Sequence, residues 1–116
     1  MKHIVILSGS PRKNGNTNLL CRQFQRGAEE AGHSVRFIPL AEKRIGFCRA
    51  CDACMHNGGV CIQKDDMADI LCAFQQADVV VLATPVYFYG VSAQMKACID
   101  RTYPIWQHLG RKEVYY

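Results

Sequence analysis

No stretch of the 116-residue chain approaches the ~18 consecutive apolar residues of a membrane span. The first apolar run, Ile4-Val5-Ile6-Leu7, is too short for the core of a secretory signal, and no small-residue cleavage site follows it. The expected location is therefore cytoplasmic. The chain lacks a basic helix with interleaved aromatics and lacks zinc-finger spacing, so nothing in it resembles a nucleic-acid module. It has no Gly-Lys-Ser/Thr, which excludes a Walker loop, and no G-x-G-x-x-G, which excludes a dinucleotide fingerprint. Internal repeats and low-complexity segments are absent too.

What is present is a chain long enough for one domain, with 49% apolar residues to build its core. The net charge is +4 and uneven: residues 1–50 hold nine Lys/Arg against three Asp/Glu, the remainder five against seven. The basic half suits an anionic ligand such as a phosphate or nucleotide, although most of these charges serve as solvated surface. Cysteine is abundant, with seven residues. An odd count without a secretion signal argues against a disulfide framework, and four of the seven crowd one loop, which points to metal or redox chemistry.

The hydrophobic pattern predicts alternating strands and helices. His3–Ser8 is a short aliphatic run without helical period, as expected for a strand buried on both faces of a parallel sheet. A loop rich in Ser, Gly, Pro and Asn follows over 8–18. Thr17 is the expected N-cap of a helix whose apolar positions are Leu20, Phe24, Ala28 and Ala31, with Gly32 ending it. Residues 34–40 alternate as a second strand. Residues 41–61 have no consistent period. A helix restarts near Asp65-Asp66, where Asp66 and Asp69 have capping-box spacing, and Met67, Ile70, Leu71 and Phe74 form its apolar stripe. Residues 78–83 (DVVVLA) are a third strand. Ser92 caps a third helix with Met95, Ile99 and Thr102 inward and Pro104 at its end. Residues 112–116 begin a fourth strand. The order implies a doubly wound α/β parallel sheet covered on both faces. A sheet of this kind usually has a further strand and helix. The expectation is one domain, 1–116, incomplete at its C-terminus, with the cysteine loop 41–64 inserted between strand 2 and helix 2. Either the chain is a fragment or another chain completes the sheet.

Two loops carry the chemistry. The first, Ser-Gly-Ser-Pro-Arg-Lys-Asn-Gly-Asn-Thr-Asn over 8–18, offers glycine-bordered backbone, a helix N-terminus, polar side chains and two cations. It contains no cysteine nucleophile, so it is suited to hold a phosphate without attacking it. An ordinary Gly/Asn connection is the alternative. The second, Thr-Pro-Val-Tyr-Phe-Tyr-Gly over 84–90, follows the third strand. The first and third strands of such a sheet flank its topological switch point, so both loops should meet at one ligand. Three successive loop aromatics cannot all be buried in a core, and a flat ring or a partner chain would cover them.

GSPRKNGNT after the first strand, DDM before the second helix and TPVYFYGVSAQMK after the third strand resemble the NADPH-dependent FMN reductase family, and more closely its iron–sulfur flavoprotein branch. The similarity spans nearly the whole chain. It implies a flavodoxin-like fold and bound FMN, with Ser10, Arg12, Asn16, Thr17 and Asn18 around the phosphate. Pro85, Val86, Tyr87, Phe88 and Gly90 would line the isoalloxazine. Family members extend well past Tyr116.

Cys48, Cys51, Cys54 and Cys61 form C-x2-C-x2-C-x6-C, a compact triplet with a fourth thiol nearby. Such a loop suits an iron–sulfur cluster better than zinc, which more often uses two separated knuckles. The spacing resembles the 4Fe–4S motif of iron–sulfur flavoproteins, and Ala50 stands where that family often has glycine. Free thiols are the other reading. Cys21, Cys72 and Cys98 are expected as small packing residues in helices. His56 is a spare ligand or a solvated loop side chain. Trp106 covers a flavin, one in another subunit included, or packs in a core or interface.

No catalytic side chain is required, because the flavin carries the chemistry. Three readings stand: an NAD(P)H-dependent reductase of flavin, quinone or a similar small acceptor; an iron–sulfur flavoprotein exchanging electrons with a carrier such as ferredoxin; and a truncated, non-catalytic flavodoxin-like subunit. The aromatic loop and the short chain lead to an expected homo-oligomer.

Overall fold

The computed structural model describes residues 1–108 and 113–115. Strands β1 (His3–Ser8), β2 (Ser34–Pro39), β3 (Val79–Ala83) and β4 (Glu113–Tyr115) form one sheet in the order β2-β1-β3-β4. All pairings are parallel, with Ser8 opposite both Pro39 and Ala83. The strand expected over 112–116 is seen at 113–115; Lys112 and Tyr116 lie outside the described residues.

β1 is central because each of its faces has a core to enter. Val5 and Leu7 join Ile38, Val80 and Leu82 on one side, against helix α3 (Met67–Gln76) and helix α4 (Ala93–Asp100). Ile4 and Ile6 join Val79 on the other, against Cys21 of helix α1 (Asn16–Glu30). Such side chains contribute roughly 1.5–3 kcal/mol each on full burial. The apolar stripe of α3 is buried at Met67, Ile70, Leu71 and Phe74, as its spacing predicts.

The α1 face departs from the expectation. Cys21 and Asn18 are buried, whereas Leu20 is 71% and Phe24 42% exposed. The helix lies over β1 and β2, so Leu20 and Phe24 border an open apolar groove of about 510 Å³ shared with Val81, Val91 and Ile99.

Helix starts also differ from the reading of caps. α1 begins two residues before the expected position, with Gly15 at its N-cap and no side-chain cap. Asp66 precedes α3 but makes no capping box. Its carboxylate instead accepts from Arg44 N at 2.7 Å, Asp65 accepts from Met67 N at 3.1 Å, and Asp69 pairs with Arg36. Ser92 caps α4 as expected, accepting from Met95 N at 3.3 Å. α4 ends at Asp100, and a 3-10 segment, Tyr103–His108, takes up the chain around Pro104. Residues 41–64 begin in a 3-10 turn, Leu40–Glu42, and include one short α-helix, α2 (Ala53–His56), neither of which periodicity revealed. Among the described residues, no helix is long and apolar enough to cross a membrane.

Candidate functional site

The loops after β1 and β3 are fastened to each other. Gly9 N donates to Ala83 O at 2.7 Å, and Ser92 Oγ donates to Gly9 O at 2.7 Å. Ser92 N donates in turn to Thr84 Oγ1 at 2.9 Å. Gly9 has to be glycine for this approach, since a Cβ there would stand 2.6 Å from Ser92 Oγ and 2.9 Å from Met95 Cβ. The two segments singled out from the sequence therefore meet at the carboxyl ends of adjacent strands.

Within the first loop the polar side chains divide into scaffold and surface. Asn18 is 3% exposed. It accepts from the buried Ser8 hydroxyl and donates Nδ2 to Arg12 O at 3.2 Å and Lys13 O at 3.0 Å. Ser10 Oγ accepts from Arg12 N at 3.1 Å and donates to Arg12 O at 3.2 Å. These bonds turn the carbonyls of residues 12 and 13 toward the loop's own interior. Arg12 and Asn16 are exposed and Thr17 is half-buried. The first turn of α1 carries no side-chain cap and no acidic residue. Its amides and the positive end of its dipole are thus left to an anion, which is the chemistry a phosphate monoester requires.

The second loop is a tight turn in a strained conformation. Tyr87 and Gly90 exchange backbone bonds of 3.0 and 3.1 Å across Phe88 and Tyr89. Those two residues have φ of 47° and 67°, the left-handed pair of a type I′ turn. Asn-Gly usually occupies such a pair, and each non-glycine L-residue there costs roughly 1–2 kcal/mol. Both rings are 95% exposed, in edge-to-face contact at 5.6 Å, with Val86 76% and Tyr87 49% exposed beside them. Pro85 is half-buried. Strain together with exposed aromatic surface marks a segment shaped for a ligand or partner.

The cysteine loop gathers Cys48, Cys51, Cys54 and Cys61 around one small cavity with Arg101 and Tyr103. Cys48 Sγ accepts from Ala50 N at 3.4 Å and Cys61 Sγ from Gln63 N at 3.5 Å. Ala50 and Asp52 have φ of 54° and 59°, so the backbone coils tightly between the thiols. Backbone N–H···S bonds of this kind also stabilise ligating thiolates. Desolvation, then the neighbouring Cys61 and Cys51, push the Cys54 thiol up from its ordinary pKa. Among the described residues, no three Cys, His, Asp or Glu side chains are drawn together into a metal-holding group. In number and chemistry the four cysteines that line this cavity match the donor set of a thiophilic iron cluster, and two of the thiols already accept amide hydrogen bonds, although the four are not converged on one point. His56 is exposed.

Beneath the cavity lies an ion pair the sequence did not signal. Arg101 Nη1 and Nη2 bind Asp65 Oδ2 and Oδ1 at 2.8 and 2.9 Å, and Nη1 also donates to Gly46 O at 2.8 Å. Asp65 Oδ2 accepts from Gly46 N at 2.9 Å. The Arg101 bonds hold the Asp65 carboxyl down to about 2 against the opposing effect of burial. Of the remaining cysteines, Cys21 and Cys98 are buried as expected, and burial pushes the Cys98 thiol up to about 12. Cys72 is exposed and is not a packing residue: its place on α3 falls outside the buried stripe. Trp106 is 55% exposed.

The NADPH-dependent FMN reductase family model matches residues 1–113. The chain belongs to that family. Among curated proteins it is 42% identical over 102 residues to an iron–sulfur flavoprotein of Methanocaldococcus jannaschii, covering 88% of this chain and 52% of that one. It is 39% identical over 104 residues to an iron–sulfur flavoprotein of Archaeoglobus fulgidus, covering 90% and 46%. The chain spans about half the length of the curated relatives it matches. Among solved structures, an NAD(P)H:quinone oxidoreductase from Methanothermobacter marburgensis superposes with a TM-score of 0.75 at 20% identity, covering 88% of this chain and 53% of that one. An azoreductase from Bacillus anthracis superposes at 0.65 with 18% identity, covering 88% and 55%. At those identities the superpositions speak to the fold, which is the flavodoxin-like sheet expected of the FMN reductase family.

Sequence reasoning missed two features of this chain. Ser92 reads as a helix cap, and its second role as the staple to Gly9 needs the sheet register to be visible. Arg101 reads as one more helix-end cation, because only tertiary structure puts Asp65 and Gly46 against it.

Proposed function

We propose that this chain binds FMN and serves an oxidoreductase reaction that takes reducing equivalents from a nicotinamide cofactor and delivers them to a quinone, a flavin or a similar small acceptor. The reading is carried by the fastening of the two loops through Gly9, Ala83 and Ser92 at the carboxyl ends of β1 and β3. FMN, when bound, supplies hydride and electron transfer. The amides of the first turn of α1, with Arg12, Asn16 and Thr17, hold the phosphate. Ser10 and Asn18 hold the loop in the shape that presents those amides. Pro85, Val86, Tyr87, Phe88 and Gly90 line the ring, and backbone N–H groups of 84–90 stabilise negative charge at the ring's pyrimidine edge. No side chain of the chain has to act as acid, base or nucleophile.

A second reading is favoured by the four thiols around one cavity and by relatives whose names are iron–sulfur flavoprotein. Cys48, Cys51, Cys54 and Cys61 would then hold a 4Fe–4S cluster, and electrons would pass between it, FMN and a carrier protein of the ferredoxin kind. The exposed turn at 87–90 and Trp106 support association into a homo-oligomer around the flavin. An absorbance scan of protein purified without oxygen and supplied with FMN separates the readings. Flavin bands alone that bleach with NADPH or NADH support the first. Added broad absorption with protein-bound iron and sulfide supports the second. A colourless protein that takes up no FMN defeats both and leaves a non-catalytic subunit.

A further inference from the structure

Arg101 is 2% exposed, and its guanidinium is bound to Asp65, to Gly46 O and, at 3.3 Å, to Gln63 Oε1. Its Nε is buried and has no partner among the described residues. A buried unpaired donor costs about 1–3 kcal/mol, and a buried ion pair can often be replaced by apolar side chains without loss of stability. An apolar pair could fill the same place, so the stability the ion pair gives does not by itself single out a guanidinium here. The same side chain lines the cavity shared by Cys48, Cys51, Cys54 and Cys61.

We propose that Arg101 is a positioning residue for the thiol-ligated cluster: it fixes the cysteine loop through Gly46 and Asp65, and its buried charge and free Nε–H stabilise the reduced state of the group held by Cys61 and its neighbours. The inference rests on the iron–sulfur reading. Reduction brings one electron from a low-potential one-electron donor and makes or breaks no bond, so one negative charge is added beside the guanidinium. Arg101 opposes that charge from the floor of the cavity, where water does not screen it. Asp65 partly cancels the effect, and its removal should strengthen it.

The test is an anaerobic reconstitution of the 116-residue chain with ferrous iron and sulfide, followed by potentiometric titration of wild type, Asp65→Asn and the paired Arg101→Met/Asp65→Asn. The pair removes both charges together and keeps one amide acceptor at 65, so it should fold where Arg101→Met alone leaves Asp65 stranded. Wild type should bind about four irons and four sulfides per chain. Asp65→Asn should favour the reduced state relative to wild type. The paired variant should disfavour it about tenfold, which is about 59 mV for one electron. A structural role alone would move both variants the same way or neither. That result, in a wild type that loads its cluster, overturns the inference while leaving the iron–sulfur reading standing. A wild-type chain that binds no iron and sulfide overturns the reading and this inference with it.

Discussion

Acid should loosen the cysteine loop through Asp65. Its carboxyl is held at about 2 rather than 3.8, chiefly by the Arg101 hydrogen bonds, with the Gly46 and Met67 amides adding to them. A folded-state value below the unfolded one means the contribution is fully present above pH 3.8 and is lost as pH falls toward 2. At 1.36 kcal/mol per pKa unit the shift corresponds to about 2.5 kcal/mol. Asp65 is 15% exposed, so solvent screening trims this only modestly. Urea unfolding followed by far-UV circular dichroism, near neutral pH and at about pH 2, measures the loss. Asp65→Asn should cost about 3–5 kcal/mol near neutrality, because the guanidinium is left buried without its counter-charge. It should also flatten the acid response by the share assigned to Asp65. If the asparagine variant loses as much stability between pH 4 and pH 2 as wild type does, the Arg101–Asp65 pair is not what the acid breaks and the reasoning is wrong.

Three further outcomes follow from the same geometry. Gly9→Ala should destabilise the fold by about 1–3 kcal/mol and weaken FMN binding together, because its Cβ displaces Ser92 from the joint between the loops; chemical denaturation and flavin titration read both effects. Ala50→Gly should raise stability by about 1 kcal/mol by relieving a φ of 54°, read as a higher unfolding midpoint. Replacing Phe88-Tyr89 by Asn-Gly should stabilise the type I′ turn by roughly 1–2 kcal/mol and weaken FMN binding, a gain and a loss that calorimetry and fluorescence would show in one variant. Unchanged FMN affinity there would remove the aromatic turn from the site.

Much of the architecture is legible in local pattern. Residues 4–7 and the run Val79–Ala83 are apolar throughout because both faces of the sheet are buried, and a run of that kind has one natural reading. Ser92 reads as a cap because its hydroxyl serves the turn that follows it. The inward spacing of Leu20 and Phe24 misleads, since periodicity shows which residues share a helix face and not how much sheet lies beneath it. Asp66 misleads for another reason: a carboxylate near a helix start can serve an amide of a distant segment, here Arg44 N, instead of its own helix. The loops of the candidate site are visible in composition, while the bonds that divide Ser10 and Asn18 from Arg12, Asn16 and Thr17 are not. Arg101 and Gly46 lie 55 residues apart and carry no local signature at all.

The central claim is that one loop holds a phosphate and the other a flat ring. Titrating the chain with FMN and with riboflavin, which lacks the phosphate, and following flavin fluorescence tests it directly. The account predicts quenching by both ligands, at least about tenfold tighter binding of FMN, or 1.4 kcal/mol, and loss of that advantage in Thr17→Ala combined with Arg12→Ala. Equal affinity for the two flavins in wild type, or no quenching by either, would contradict it.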